Sequence, residues 1–237
     1  MKNEASVSAI KEGLIGVGDV KVDLDENMVI VETHLPSSEV QHKIENIGFR
    51  AVLQGFGGSS AVVIMSGNEV QGVVRFANAA SLDKGCIVDG VLDGLCPGLH
   101  GLHIHECGDI SQGCDSVGNH YNPHNAPHGR PDSNIDSRHI GDLGNIEADI
   151  NGRATFRFVD QLLEVPDIIG RSLVVTEQED DFENSANSDY GRRLACGIIA
   201  RSAGLNENKK KICACDGVTI WDERNKPIAG KGRNAKY

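Results

Sequence analysis

The sequence predicts two domains and a tail: a small α+β unit, an all-β antiparallel barrel or sandwich, and a polar C-terminal segment. Three observations support this prediction. The 237 residues exceed the size of one small domain. Helical spacing of apolar residues is confined to the N-terminal part. The rest of the chain consists of short apolar or alternating runs between Gly-rich turns, which is typical of antiparallel sheets.

Residues 1–54 are expected to form a ferredoxin-like α+β domain. The predicted elements are a helix over 5–15, strands over 19–25 and 28–31, a helix that starts at Ser37 and is capped by Gly48, and a strand over 50–53. This order is α-β-β-α-β. A complete split βαβ unit has one more strand in front, so the first strand of this domain is expected to be missing.

The Gly-rich residues 55–60 predict a linker, and residues 61–203 predict the β-barrel. Its strands are expected over 61–65, 70–76, 86–92, 99–105, 144–148, 154–159, 172–176 and 194–200. Residues 204–237 are polar and form the tail, which is expected to be poorly ordered on its own.

Composition excludes several classes of function. The net charge of −11 argues against a nucleic-acid-binding protein, which needs a basic face. No run of 18 apolar residues occurs, so no membrane span is expected. The N-terminus lacks the apolar core of a secretory signal, which predicts a cytoplasmic protein. The seven cysteines are then reduced, buried or metal-binding by default.

Seven of the nine histidines lie between residues 100 and 142, in a segment that is mostly loop. His103 and His105 are two apart in a strand-like run, so both side chains lie on one face. The other candidate ligands are His120, His128, His139 and Asp142. Three histidines and one aspartate suit Zn²⁺, and neutral imidazole also suits copper. The alternative is a set of solvated loop histidines. We keep that alternative for His34, His42, His100 and His124.

The runs GLHGLHIHECGD, GCDSVGNHYNP, RHIGDLGN and RLACGIIA resemble Cu,Zn superoxide dismutase over about residues 60 to 203. The resemblance implies a Greek-key β-barrel. It also implies roles for individual residues. These are copper ligands His103, His105 and His120, with His120 bridging to zinc; zinc ligands His128, His139 and Asp142; a disulfide between Cys114 and Cys196; Arg193 beside the copper; and Asp180 linking the two metal sites.

One position departs from this pattern. The dismutase has a fourth copper histidine in its late strand, where this chain has Thr176. A threonine hydroxyl is a poor copper ligand, so superoxide dismutase activity is not expected. Residues 177–190 carry six acidic side chains and no Lys or Arg, and a negative loop repels superoxide.

Taken whole, the chain resembles the copper chaperones for superoxide dismutase. Its tail contains Cys213 and Cys215, whose thiolates select Cu(I) and can exchange disulfides. The family typically carries Met-x-Cys-x-x-Cys near its start, where this chain has Asn3 and Ser6. The resemblance implies docking on Cu,Zn superoxide dismutase as a heterodimer, delivery of Cu(I) through the tail, help in forming the target's disulfide, and bound zinc. A homodimer through the barrel is possible as well.

Two other hypotheses remain open at this point. The first is a Cu,Zn superoxide dismutase with extra domains, against which Thr176 and the acidic loop count. The second is a zinc-stabilised binding protein without copper traffic, which would leave dismutase maturation unchanged when Cys213 and Cys215 are both replaced by Ser.

Overall fold

The computed structural model describes residues 4–55, 57–78, 85–183 and 191–204, and the chain divides into two compact units, Met1–Leu53 and Gln54–Tyr237. The first unit contains α1 (Glu4–Gly13), β1 (Asp19–Asp23), β2 (Met28–Glu32) and α2 (Ser37–Asn46). β1 and β2 pair antiparallel as a two-stranded sheet. A cluster that includes Ile10, Leu14 and Ile44 packs both helices against this sheet.

The end of α2 is set by Gly48, as the sequence predicts. Gly48 has φ +89°, a conformation that glycine adopts without steric cost. Its N–H donates to Glu45 O at 2.9 Å, and the N–H of Phe49 donates to Ile44 O at 3.3 Å. This pair of bonds closes the last turn of the helix and satisfies two of its terminal carbonyls.

The predicted strand over residues 50–53 is wrong. A strand requires a neighbour that exchanges backbone hydrogen bonds with it. Within the described part of the first unit, the sheet consists of β1 and β2 alone. The carbonyl of Ala51 instead accepts a hydrogen bond from Nε2 of Gln41 at 2.9 Å, so a side chain takes the place of a neighbouring strand.

The second unit is built from strands in the following order: β3 (Ser60–Gly67), β4 (Gln71–Asn78), β5 (Cys86–Asp93), β6 (Gly98–His105), β7 (Ser111–Cys114), β8 (Asp142–Ala148), β9 (Arg153–Asp160), β10 (Ser172–Thr176), β11 (Arg193–Ile198) and β12 (Ala200–Ser202). A short helix, α3 (Val165–Ile168), lies between β9 and β10. The predicted strands are all present, with ends that differ by one or a few residues.

The strands form a closed antiparallel barrel. Their spatial order is β11-β10-β6-β8-β9-β5-β4-β3-β12, and β11 also pairs with β3, which closes the sheet on itself. β5 lies next to β9, and β6 next to β10, so neighbours in space are not neighbours in sequence, as in a Greek key. The predicted fold class, a small α/β unit followed by an antiparallel barrel, is confirmed.

Three short elements were not predicted: β7, α3, and β12, which is a separate strand where a single strand over 194–200 was predicted. β7 reads Ser-Gln-Gly-Cys and has no apolar alternation, and α3 has four residues, too few for a helical period. The barrel interior is filled by residues such as Val74, Phe76, Leu102 and Ile104. Because side chains alternate along a strand, the burial of Leu102 and Ile104 in the core directs His103 and His105 to the opposite face of β6.

Candidate metal centre

The loop between β7 and β8 folds back along β6. The N–H of Tyr121 donates to Ile104 O at 2.7 Å, and the N–H of Ile104 donates to Gly141 O at 2.9 Å. His105 and His120 form a β-bridge. These backbone bonds bring the loop histidines against the two histidines of β6, although some are far apart in sequence.

Four of the predicted ligands converge at one point. His120, His128, His139 and Asp142 each offer a ligand atom, and these atoms all lie within 4.8 Å of one another. Nδ1 of His120 lies 2.8 Å from the Asp142 carboxylate, Nδ1 of His128 lies 3.0 Å from it, and Nδ1 of His139 lies 3.1 Å from it. A His₃Asp donor set at this separation fits Zn²⁺.

The Asp142 carboxylate is the centre of this arrangement. It is buried, and it also accepts hydrogen bonds from the backbone N–H of Gly129 at 3.2 Å and of His139 at 3.0 Å. Burial alone would raise its pKa. The hydrogen bonds from the three histidines outweigh burial and hold the pKa well below the usual range of an aspartate. Asp142 is therefore an anion throughout the neutral range, as a metal ligand must be.

Asp180 connects the two groups of histidines. Its carboxylate lies 2.8 Å from Nε2 of His103 and 2.9 Å from Nε2 of His128. Asn145 holds Asp180 in place, because Nδ2 of Asn145 donates to Asp180 O at 2.8 Å and the Asp180 N–H donates to Oδ1 of Asn145 at 2.7 Å. The structure thus gives Asp180 the position between the two groups that the sequence resemblance implies.

His128 lies between the carboxylates of Asp142 and Asp180. Burial would lower its pKa, but hydrogen bonds to the two carboxylates raise the pKa to about 9. The position between two carboxylates therefore favours a positive charge. A proton supplies that charge in the absence of a metal, and a divalent cation bound through Nδ1 would replace it.

His105 shows directly which nitrogen is available to a metal. A carbonyl can only accept, so the contact of 2.9 Å with Gly118 O places the proton on Nδ1 of His105. Nε2 is then the basic nitrogen, and it is buried without a hydrogen-bond partner among the described residues. Burial and the neighbouring His120 lower the pKa of His105 to about 3, so its ring stays neutral and able to bind a metal.

His120 lies between the two groups of ligands. Its ring stacks on His103 with centroids 4.1 Å apart, and it meets His105 edge-on at 5.0 Å. Burial lowers the pKa of His120 to about 4 even though Asp142 accepts from it. His120 faces Asp142 on one side and the β6 histidines on the other, which is the position of a bridging ligand.

Thr176 ends β10 on the side of His103. It is buried, and its hydroxyl is bound to main-chain carbonyls: Oγ1 lies 3.0 Å from Gln178 O and 3.3 Å from Gly101 O. Gly101 leaves room for this side chain, because a Cβ on Gly101 would lie 2.6 Å from Oγ1 of Thr176 and 2.9 Å from Cε1 of His103. At the position where the sequence resemblance implies a fourth copper histidine, the structure thus has a hydroxyl engaged with the backbone.

Arg193 and the disulfide lie beside the β6 histidines. The Sγ atoms of Cys114 and Cys196 are bonded to each other. Arg193 donates to Cys114 O at 2.8 Å and to Gly118 O at 3.4 Å, and Gly118 O is the acceptor that orients His105. Arg193 therefore ties the disulfide-bonded loop to the histidine cluster.

Several predicted residues lie elsewhere. His124 is exposed. The expectation of a solvated His100 is wrong: it is buried in β6, with Nδ1 2.9 Å from Thr176 O and Nε2 2.8 Å from Cys96 O. Two carbonyls, not water, surround that ring. Cys213, Cys215, Asn3 and residues 184–190 of the acidic loop lie outside the described residues.

Sequence reasoning missed Arg138, which is fully buried next to His139. It binds both oxygens of Asp160 at 2.7 Å and donates to Asp142 O at 2.6 Å. Arg138 lies in the loop between β7 and β8, and Asp160 lies in β9, 22 residues further along the chain. Neither spacing nor periodicity in the sequence could reveal this ion pair. Gly101 and Asn145 were missed as well, and their only signal is that they stand within or next to the motifs that carry the histidines.

Comparison with known proteins adds to this geometry. The sequence profile of the Copper/zinc superoxide dismutase (SODC) family matches residues 70–199. The human copper chaperone for superoxide dismutase is 50% identical over 249 residues, covering 98% of this chain and 89% of that protein. This chain belongs to the copper chaperone for superoxide dismutase family.

Two further similarities concern the barrel alone. A Cu-Zn superoxide dismutase of Onchocerca volvulus is 42% identical, but the alignment covers 61% of this chain and 98% of the dismutase. The crystal structure of the clock protein EA4 superposes with a TM-score of 0.55 at 35% identity, covering 64% of this chain and 98% of EA4. The family of chaperones, in contrast, matches both units. Among the described residues, no helix is long and apolar enough to cross a membrane.

Proposed function

We propose that this protein is a copper chaperone that docks on Cu,Zn superoxide dismutase, delivers Cu(I) to it and promotes formation of its disulfide. The observation that carries the proposal is the contrast around His120. Four zinc-type ligands converge on the Asp142 side, whereas Thr176 stands on the other side with its hydroxyl engaged by backbone carbonyls. Such a barrel keeps the shape of a dismutase subunit without a complete copper centre.

Zinc is the resident metal in this proposal. His120, His128, His139 and Asp142 would hold it, and its positive charge would take the place of the proton that His128 carries between two carboxylates. When bound, zinc supplies a fixed cation that orders the loop between β7 and β8. Asp180 and Asn145 orient His128, and Arg138 holds the loop against β9.

Copper is the cargo, and we assign it to the tail. Cys213 and Cys215 provide two soft thiolates, and Lys209, Lys210 and Lys211 favour the thiolate form. For the disulfide step, a two-electron oxidant such as dioxygen, which becomes hydrogen peroxide, first joins Cys213 and Cys215 in a disulfide after Cu(I) has left. A thiolate of the target then attacks this disulfide and forms a mixed disulfide. The target's second thiol then displaces the tail. The target dithiol loses two electrons, and the tail gains them as two thiols.

The docking surface that we propose lies around β3 and β11. Ile64, Ile110 and Ile198 are exposed, and with Gly113 and Gly197 they line a shallow depression next to the Cys114–Cys196 disulfide. Exposed apolar clusters of this kind mark protein interfaces. We propose a heterodimer with a dismutase subunit here, and a homodimer through the same surface when no target is present.

We propose that the protein acts in the cytoplasm. Cys96 and Cys107 are exposed and free. Exposed unpaired thiols suit a reducing compartment, where glutathione keeps them reduced.

The test measures activation of copper-free, reduced Cu,Zn superoxide dismutase by the Cu(I)-loaded full chain. Wild type is expected to restore dismutase activity, and the Cys213→Ser, Cys215→Ser double variant is expected to restore less than about a tenth of it. The matched control is the Cys96→Ser, Cys107→Ser double variant. It also loses two thiols, but these are exposed thiols of the barrel and not of the tail, so this variant is expected to activate the dismutase like wild type. Equal activation by wild type and the tail variant would contradict copper delivery through Cys213 and Cys215.

The docking surface has its own test. Ile198→Lys places a charge in the depression and is expected to weaken complex formation with the dismutase about tenfold or more, measured by analytical ultracentrifugation. Ile150→Lys, at a turn between β8 and β9 where the side chain is 88% exposed, is the control and should bind like wild type.

A further inference from the structure

The outer face of the barrel over β4, β5 and β9 has an unusual pattern of burial. Val74, Phe76, Val88 and Leu92 point into the core, so the alternating residues of β4 and β5 point outward. Outward-facing Val73 is nevertheless only 4% exposed, and outward-facing Asp89 is only 1% exposed. The long side chains of Arg75 and Arg157 on either side can shield Asp89, but the burial of Val73 as well points to a segment that covers this face.

This outer face has apolar side chains on both sides of a row of charged side chains. Register pairs Arg75 with Asp89 and Asp89 with Arg157, so the three side chains stand side by side across three strands. Arg157 donates to Asp89 at 3.2 Å. The row carries two guanidinium groups and one carboxylate. A covering segment that carries carboxylates beside apolar side chains has the chemistry to lie on this face.

Part of the cover is already identified. Gly57 lies against Ala77, because a Cβ on Gly57 would lie 2.5 Å from that of Ala77. This contact accounts for the burial of Ala77 at the end of β4. It does not account for Asp89, which lies one row further along the face, or for Val73, which lies two rows further.

The chain leaves the barrel at the edge of this face. β12 pairs Ser202 with Ser60, and Ser60 pairs with Ala77 of β4. Gly204 lies beside Gly57 and Gly58, since a Cβ on Gly204 would lie 2.3 Å from Gly58 O. The tail that follows, residues 205–237, therefore starts next to the row of Ala77.

The tail contains a segment whose chemistry matches the face. Residues 216–223 read DGVTIWDE: an apolar centre of Val218, Ile220 and Trp221 with carboxylates at both ends. The tail as a whole has eight Lys and Arg against four Asp and Glu, whereas the full chain has a net charge of −11, so the two parts attract each other. Eleven residues lie between Gly204 and Asp216, a stretch that spans up to about 40 Å, which is ample to cross a face of three strands about 5 Å apart.

We propose that residues 216–223 of the tail dock on the outer face of β4, β5 and β9, with Trp221 and its apolar neighbours over Val73 and Val91 and the flanking carboxylates near Arg75 and Arg157. Cys213 and Cys215 immediately precede this segment. Docking therefore holds the two thiols near the barrel when no target is bound. This last consequence rests on the proposed function of the tail, whereas the docking itself does not.

Trp221 is the only tryptophan of the chain and reports on its own environment. In the full-length wild type we expect its fluorescence emission to be blue-shifted from that of N-acetyltryptophanamide, and its acrylamide quenching constant to be at least about threefold lower than in urea. Val73→Lys and Arg157→Glu should each move emission and quenching toward the free values. Ile150→Lys, on an exposed turn, is the control and should leave both unchanged.

Circular dichroism checks that each variant is folded. Should Val73→Lys fail to fold, Arg157→Glu, whose side chain is 13% exposed at the margin of the face, still tests the proposal. Free-like quenching of Trp221 in the wild type would overturn the proposal. So would a protected Trp221 that neither face variant exposes. A blue shift that disappears on dilution would mean that a second copy covers the face, and this too would overturn docking within one chain. None of these outcomes depends on copper delivery.

Discussion

The two sides of His120 differ in how their donors are arranged. On one side, His120, His128 and His139 direct Nδ1 toward the Asp142 carboxylate at 2.8–3.1 Å. On the other side, Thr176 offers a hydroxyl that lies 3.0 Å from Gln178 O, and the Asp180 carboxylate lies 2.8 Å from Nε2 of His103. The His120 imidazole therefore lies between two differently built sides, one with four clustered donor groups and one with a hydroxyl engaged by the backbone.

The two sides also differ in the contacts that surround them. The Asp142 side is supported from outside by Arg138, Asp160 and the backbone N–H of Gly129, all buried. The Thr176 side is a packed strand end whose hydroxyl satisfies main-chain carbonyls. The first surrounds a buried carboxylate with three histidines, and the second is filled by packed protein atoms.

The largest effect is expected from Asp142→Asn. The amide removes the charge that three histidines face, and an unmatched buried polar group typically costs about 3–5 kcal/mol of the free energy of unfolding. Zinc content measured by mass spectrometry should fall to background. Asp136→Asn, at an exposed position of the same loop, is the control and should bind zinc normally. Full zinc content in Asp142→Asn would show that the ligand set is different.

Arg138→Met tests the buried ion pair that supports the Asp142 side. Arg138 is fully buried and binds Asp160 with both oxygens at 2.7 Å, so its loss leaves Asp160 uncompensated and should cost about 3 kcal/mol, measured by urea unfolding. Arg153→Met is a matched control, because Arg153 also pairs with an aspartate, Asp93, but at an exposed site. Exposed pairs contribute at most about 1 kcal/mol. Equal losses in the two variants would contradict the role of burial.

Thr176→His tests the incomplete side. An imidazole at this position, beside Gly101, would add a fourth histidine to His103, His105 and His120. We expect copper affinity of the barrel to rise about tenfold or more, with dismutase activity above that of the wild type. Thr176→Val, which adds no ligand, is the control. High dismutase turnover by the wild type would favour the enzyme hypothesis instead.

The sequence predicted the strands of the barrel and the identity of the four clustered donors, because both depend on local pattern. Alternation put His103 and His105 on one face, and the spacing of loop histidines suggested one ion. The supporting contacts depend on tertiary proximity. Arg138 meets Asp160 and Asn145 meets Asp180 across 22 and 35 residues, and no periodicity links such pairs. The segment 50–53 failed for a related reason, since its strand-like composition could not supply a neighbouring strand.

The last expected effect is that of pH on the stability of the metal-free protein. Two carboxylates raise the pKa of His128 to about 9, above the value of about 6.5 that it has when unfolded. The folded state therefore holds the proton more tightly. The stability from this group is fully present below pH 6.5 and is lost as pH rises through 9. We expect the midpoint of urea unfolding to fall between pH 7 and 9.5. His128→Gln should remove this dependence, whereas His124→Gln, at an exposed loop position, should retain it. A wild-type midpoint that stays flat over this range would mean that His128 does not hold its proton between Asp142 and Asp180.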